Sequence, residues 1–190
     1  MSKITECISQ QGYEYLLDRV LIDEATLAMR VAELGAQLSV DYAGKNPLLV
    51  CILRGGVMFL TDLMKHLRIP HTIDFMAVSS YGVGARASRG QPRITLDLNT
   101  DIRGRHVILV EDIIDSGHTI DHVMRLLQTR EPASLKLCAL LDKPARREIY
   151  VPVGYIGFTI PNEFVFGYGL DLDEYCRNLP FIGTVKKEYQ

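Results

Sequence analysis

Glu111, Asp112, Asp115, Ser116, Gly117, His118 and Thr119 fall within one stretch, HVILVEDIIDSGHTIDHVMRLLQT, running from His106 to Thr129. Carboxylates accept hydrogen bonds from hydroxyls such as those of a sugar diol. Gly117 lets backbone amides approach a ligand, Ser116 and Thr119 add hydroxyl donors, and the start of a helix favours an anion. The loop therefore suits a phosphate on one side and sugar hydroxyls on the other, which together describe a phosphorylated sugar. A plain helix cap beside solvated acids would explain the loop alone. The density of polar groups at a strand end favours the ligand.

These groups need elements to position them. The unbroken apolar run Val107-Ile108-Leu109-Val110 reads as a strand covered on both faces, the habit of parallel sheets. The pattern then predicts a short acidic loop carrying Glu111 and Asp112, and a helix whose apolar positions are Ile120, Val123, Met124 and Leu127. Unpaired carboxylates at the edge of a core are costly, so both acids need partners or a ligand. In open parallel sheets that ligand lies at the carboxyl ends of the strands.

Other segments repeat the design. Asp23 to Leu38 carries Leu27, Val31, Leu34 and Leu38 at helical spacing, an amphipathic helix. Leu48 to Leu53 is a second buried strand, ending in Arg54-Gly55-Gly56 before a helix over Val57 to Leu67. Thr72 to Ser80 reads as a strand, Tyr81 to Arg93 as a polar loop rich in glycine and arginine, and Ile94 to Leu98 as a strand again. Ser134 to Leu141 is a further buried strand, ending at Asp142-Lys143-Pro144, where a buried idle lysine would be costly. Short strands follow at Tyr155 to Ile160 and Phe181 to Val185. Alternating strands and helices give an α/β fold with a mainly parallel central sheet flanked by helices. Its strand ends would bring Arg54, Glu111, Asp112, Asp115 and Lys143 into one cleft.

The chain has 190 residues, enough for one domain spanning 1–190 with a full core. A net charge of −2 gives no global electrostatic case for nucleic acid or membrane binding. The four cysteines, Cys7, Cys51, Cys138 and Cys176, are widely spaced and read as reduced thiols. The start MSKITECISQ lacks the apolar stretch of a signal peptide and no segment approaches membrane-spanning length, so a cytoplasmic protein is expected. His118 and His122, four apart in HTIDH, could share a metal, but no third ligand pattern follows and a solvated helix face is the better reading. No GxxxxGK[ST], GxGxxG after a strand or GxSxG is present.

The stretch VILVEDIIDSGHT resembles the phosphoribosyl-pyrophosphate (PRPP) motif of type I phosphoribosyltransferases, and VEDIIDSG the 6-oxopurine branch of that family. Leu53-Arg54-Gly55 and FVFGYGLDLDEYCRNL, from Phe164 to Leu179, agree in order with the family's other site segments. The resemblance implies the type I fold with a small hood built from the terminal segments, and transfer of phosphoribose from PRPP to a purine such as hypoxanthine or guanine, with Mg2+ as cofactor. It implies that Glu111 and Asp112 hold the ribose hydroxyls and that Asp115, Ser116, Gly117, His118 and Thr119 cradle the 5′-phosphate. Asp115 is implied as the proton partner at purine N7. Lys143 would meet the 6-oxo group, Phe164 stack on the base and Val165 contact its edge through the backbone. Asp171 would bind Mg2+, with Glu111 and Asp112 as further candidate ligands. Arg54, Gly55 and Arg177 would meet pyrophosphate, and Ser80 and Tyr81 belong to a lid.

The family also has a cis bond at the position of Leu53-Arg54, which nothing in the sequence predicts, since non-proline cis bonds are rare. Partners implied are PRPP and a 6-oxopurine, with a homodimer or homotetramer and no nucleic acid. A PRPP-sensing regulator on the same fold that binds nucleic acid is the alternative. The Asp115 and Lys143 pair favours the enzyme.

Overall fold

The computed structural model describes residues 2–79 and 92–189. The elements in chain order are α1 (Lys3–Gln11), β1 (Leu17–Ile22), α2 (Glu24–Asp41), β2 (Leu48–Leu53), α3 (Val57–His66), β3 (Thr72–Ser79), β4 (Arg93–Leu96), β5 (His106–Ile114), α4 (His118–Gln128), β6 (Ser134–Asp142), β7 (Tyr155–Thr159), β8 (Val165–Phe166) and β9 (Ile182–Val185).

Six strands form the central sheet in the order β4-β3-β2-β5-β6-β7. The pairs β2–β3, β2–β5, β5–β6 and β6–β7 are parallel, and only β3–β4 is antiparallel. The unbroken apolar runs have a simple cause: both faces of these strands are covered. Leu49, Cys51, Ile108, Val110, Cys138 and Leu140 pack on one face with Leu27, Val31, Leu34 and Leu38 of α2 and Phe59, Leu60 and Leu63 of α3. Val50, Ile52, Val107, Leu109, Leu137 and Ala139 pack on the other with Ile120, Val123 and Leu127 of α4. Alternation along each strand assigns neighbouring residues to opposite layers.

The terminal segments form a second sheet, β1-β9-β8, antiparallel throughout. Its core is Leu16, Phe166, Leu172, Cys176, Leu179 and Val185. This is the hood. The sequence pattern left its first strand, β1, unassigned because LDRVLI is largely exposed and alternates poorly.

One expectation is corrected. Glu111 and Asp112 lie inside β5, since the strand continues to Ile114. Ile113 and Ile114 remain paired with Leu141 and Asp142 of β6, so the ladder outlasts the apolar run by four residues, from Glu111 to Ile114. The two acids are therefore held by a paired backbone rather than by a loop. Cys51, Cys138 and Cys176 are buried, Cys7 is partly so, and all four are free. Burial pushes the Cys51 and Cys138 thiols up to about 12, which keeps them protonated and inert. No described helix is long and apolar enough to cross a membrane.

Candidate active site

The carboxyl ends of β2, β5 and β6 and the hood loop converge. A methyl group on Gly55 would lie 1.6 Å from Asp112 Oδ2, so the turn after β2 presses directly on the acid of β5 and only glycine fits. The hood reaches the same point, since a Cβ on Gly169 would lie 2.0 Å from the Gly55 carbonyl. The Leu53–Arg54 peptide in this turn is cis.

Glu111 is 8% exposed, and its Oε2 is the buried side-chain atom without a hydrogen-bond partner among the described residues. Burial, with the adjacent Asp112 charge second, pushes its carboxyl well above the usual range. Asp112 accepts from the Ile113 amide at 2.8 Å. Burial raises it to about 6 and Asp171 pushes the same way, while backbone amides and Arg177 pull it down. Two neighbouring carboxylates in a desolvated strand end form a costly arrangement that hydroxyl donors or a cation would relieve.

Beyond β5 the chain turns through Asp115-Ser116-Gly117 into α4. Gly117, at φ +93°, is the helix N-cap and no side chain caps the helix. The Ser116 and Thr119 hydroxyls are thus not used as caps, and the helix N-terminus keeps its dipole and unpaired amides. His118 pairs through Nε2 with Glu148 Oε2 at 2.7 Å on the surface, and Asp121 pairs with Arg125 at 2.8 Å.

The loop rests on a brace that the sequence reading missed. The Glu148 and Ile149 amides donate to the Ser116 carbonyl at 2.9 and 3.1 Å. Arg147 Nε donates to the Asp115 carbonyl at 3.1 Å, and its guanidinium also pairs with the Asp142 carboxylate. Arg146 Nε lies 3.3 Å from Asp115 Oδ1. Two consecutive arginines just past the end of β6 were the available signal. Arg147 finds the Asp115 carbonyl and Arg146 the Asp115 carboxylate, and neither pairing leaves a trace in the sequence.

Lys143, 7% exposed, lies beside this brace, its amide donating to the Ile114 carbonyl at 3.0 Å. Burial lowers the ammonium's affinity for its proton and Asp115 partly restores it. Among the described residues its ammonium makes no hydrogen bond or ion pair. Phe164 is half exposed, whereas the Val165 side chain is buried. The Val185 amide donates to the Phe164 carbonyl at 2.9 Å, so alternation turns the amide and carbonyl of Val165 away from β9, toward the open edge of β8.

On the hood side, Arg54 Nη1 meets Glu174 Oε2 at 2.5 Å. Arg177 Nη2 lies 2.9 Å from Asp171 Oδ1 and 3.3 Å from Glu174 Oε2, and Nη1 donates to the Gly169 carbonyl at 2.9 Å. Asp171 Oδ2 accepts from the Glu174 amide at 2.9 Å. The turn after β2, the end of β5 and the hood loop thus meet at the sheet's carboxyl edge, with Lys143 beside Ile114, whereas His118 pairs outward with Glu148 and Phe164 and Val165 belong to the hood. Ser80 and Tyr81 lie outside the described residues.

The acids at the end of β5, the uncapped start of α4 and the buried Lys143 just past β6 sit in a chain that is similar to known proteins. A family model described as "Phosphoribosyl transferase domain" matches residues 21–173. The chain belongs to the phosphoribosyl transferase domain family. It is 51% identical over 168 residues to the hypoxanthine phosphoribosyltransferase of Escherichia coli K12, covering 87% of this chain and 94% of that one. Among solved structures, a hypoxanthine phosphoribosyltransferase from Staphylococcus aureus superposes with a TM-score of 0.88 at 44% identity, covering 94% of this chain and 97% of the other. A hypoxanthine-guanine phosphoribosyltransferase from Bacillus anthracis gives 0.83 at 39%, covering 90% and 98%. The type I phosphoribosyltransferase fold, with its mainly parallel sheet and terminal hood, is thereby the fold of this chain.

Proposed function

We propose that this phosphoribosyltransferase moves the 5-phosphoribosyl group from PRPP to a 6-oxopurine, hypoxanthine and also guanine, giving the nucleoside monophosphate and pyrophosphate. The observation that carries this is the Glu111–Asp112 pair, desolvated and with Oε2 of Glu111 left without a partner among the described residues, on the strand whose following turn leads into an uncapped helix start. Ribose hydroxyls are donors of the right kind for the acids, and a 5′-phosphate is the anion for the amides of Ser116 to Thr119.

The remaining residues fit the same reaction. Breaking the C1′–oxygen bond develops positive charge on the ribose and negative charge on the leaving pyrophosphate. Glu111 and Asp112 stabilise the first; Arg54, the Gly55 amide and Arg177 stabilise the second. Asp115 takes the N7 proton that the purine loses as N9 bonds to C1′. Lys143 donates to the 6-oxo oxygen, Phe164 stacks on the ring, and the outward backbone groups of Val165 meet the base edge.

Among the described residues no three His, Cys, Asp or Glu side chains cluster as a metal cage. Mg2+ needs no such cage, since it is commonly held by one or two carboxylates together with substrate phosphates and water. Asp171 is the ligand proposed, with Glu111 or Asp112 as the further candidate. Bound Mg2+ would neutralise charge on pyrophosphate. We further propose a single cytoplasmic domain over 1–190, assembled as a homodimer or homotetramer.

The test is an assay with PRPP, Mg2+ and hypoxanthine, guanine and xanthine in separate reactions, on the wild type and on Lys143→Ala. Nucleotide and pyrophosphate should form in equal amounts from hypoxanthine. The variant should lose about 1.5–3 kcal/mol of base binding, the worth of a hydrogen bond to a charged group. No product from any base would sink the assignment, and an unchanged base KM would make Lys143 structural.

A further inference from the structure

Resting on the pyrophosphate seat proposed above, we infer that Glu174 is the chain's own occupant of that seat, a carboxylate that competes with the leaving group for Arg54 and Arg177. One oxygen, Oε2 of Glu174, receives Arg54 Nη1 at 2.5 Å and Arg177 Nη2 at 3.3 Å. The two guanidiniums come from different parts of the fold, the turn after β2 and the hood loop, and this oxygen is what joins their side chains. Guanidinium recognises carboxylate and phosphate oxygens through the same planar donor fork, so a carboxylate oxygen bridging two of them stands where a phosphoryl oxygen would.

The loop delivers Glu174 to this position actively. Asp173 and Glu174 have φ of +51° and +71°, and the Glu174 amide is tied to Asp171 Oδ2 at 2.9 Å. Left-handed φ is uncommon for non-glycine residues, and here it belongs to the turn from which the Glu174 side chain reaches both arginines. The contact is exchangeable, because the side chains of Arg54 and Glu174 are 71% and 60% exposed. Glu174 thus keeps the two arginines in register without a ligand, and yields to a more highly charged anion. Affinity for pyrophosphate is set by the difference between the two contacts rather than by the arginines alone.

This predicts that removing a charged residue from the site tightens binding. Titration calorimetry with pyrophosphate in excess Mg2+ should give Glu174→Gln a Kd about two- to fivefold lower than wild type, the fold-change matching the worth of an exposed ion pair. Glu174→Ala should move the same way, which guards against hydrogen bonding by the glutamine amide, and the thermal midpoint should stay unchanged in both. A residue that merely supported the loop could only weaken binding. Equal or weaker binding by both variants would overturn the inference and make Glu174 a support or a metal ligand. The seat itself is tested separately: wild type that fails to bind pyrophosphate, or Arg177→Gln that binds it as well as wild type, would remove the reading on which Glu174 depends.

Discussion

The two ends of the cleft hold their groups by different means. At the phosphate end, the Asp115-Ser116-Gly117 turn is fixed by backbone carbonyls that accept from Arg147, Glu148 and Ile149. Gly117 packs so closely that a Cβ would come within 2.6 Å of the Ile149 carbonyl. At the hood end, Arg54, Asp171, Glu174 and Arg177 are held mainly by each other's charges on a loop where Tyr168, Asp173, Glu174 and Cys176 all have positive φ. Backbone contacts of the first kind are insensitive to salt and to exchange, whereas exposed ion pairs are screened and replaceable. In the proposed reaction the 5′-phosphate stays on the ribose from substrate to product, while pyrophosphate must leave. A fixed cradle would suit the retained group of that reaction, and a yielding one the departing group.

The largest break in that contrast should come from Asp115→Ala. The turn's backbone, and so the phosphate cradle, would persist, while proton handling at N7 would be lost. Turnover should fall about 10²- to 10⁴-fold, the usual worth of a general base, with PRPP binding retained. Single-turnover kinetics alongside PRPP titration would separate the two. An unchanged kcat would remove Asp115 from the chemistry and leave it a loop residue.

Arg147→Ala should come next, and it tests the brace rather than the chemistry. The guanidinium and the Asp142 carboxylate it pairs with are both largely buried, at 17% and 13% exposed. Truncation strands Asp142 without its partner and frees the Asp115 carbonyl. Breaking such a pair destabilises by on the order of 2–4 kcal/mol, and denaturant unfolding should show it. The KM for PRPP should rise more than the KM for the base, since the loosened turn is the one proposed to hold the phosphate. Equal rises in both would mean that Arg147 supports the cleft generally and that the phosphate end has no special rigidity.

The central sheet could be read from the sequence because its runs are apolar on both faces, as at Leu48 to Leu53 and Val107 to Val110. Parallel strand ends then placed Arg54, Glu111, Asp112, Asp115 and Lys143 together. What escaped was set by pairing and by backbone geometry. Glu111 and Asp112 are polar yet belong to β5, because Ile113 and Ile114 continue the ladder to β6. β1 belongs to the hood through its partner β9, which is more than a hundred residues away in the chain. Arg147 acts through carbonyls, and Glu174 reaches Arg54 only because two non-glycine residues adopt left-handed φ. Side-chain types announce an acid pair or a buried lysine; they do not announce which main-chain oxygen an arginine will find.

The smallest effect concerns the floor of the cleft common to both ends, and it carries a sign that distinguishes function from stability. Burial chiefly pushes the Asp112 carboxyl up to about 6 in the folded chain, against about 3.9 for an exposed aspartate. The folded state therefore binds the proton more tightly than the unfolded state. This contribution to stability is fully present below about pH 4 and is lost as pH rises through 6. Glu111, raised in the same direction by burial and by Asp112, adds to the trend. Asp112→Asn removes the desolvated charge while its side-chain oxygen can still accept from the Ile113 amide. Without ligand it should therefore be more stable than wild type by about 1–3 kcal/mol at pH 8, with the gain vanishing at pH 4. Adding PRPP with Mg2+ should reverse the ranking, because ligand stabilisation grows with affinity and the variant has lost a proposed ribose acceptor. Thermal melts at both pH values, with and without PRPP, supply all four measurements. A variant less stable at pH 8 in the absence of ligand would show that Asp112 is held for the fold, and the acid pair would no longer mark a site built at the expense of stability.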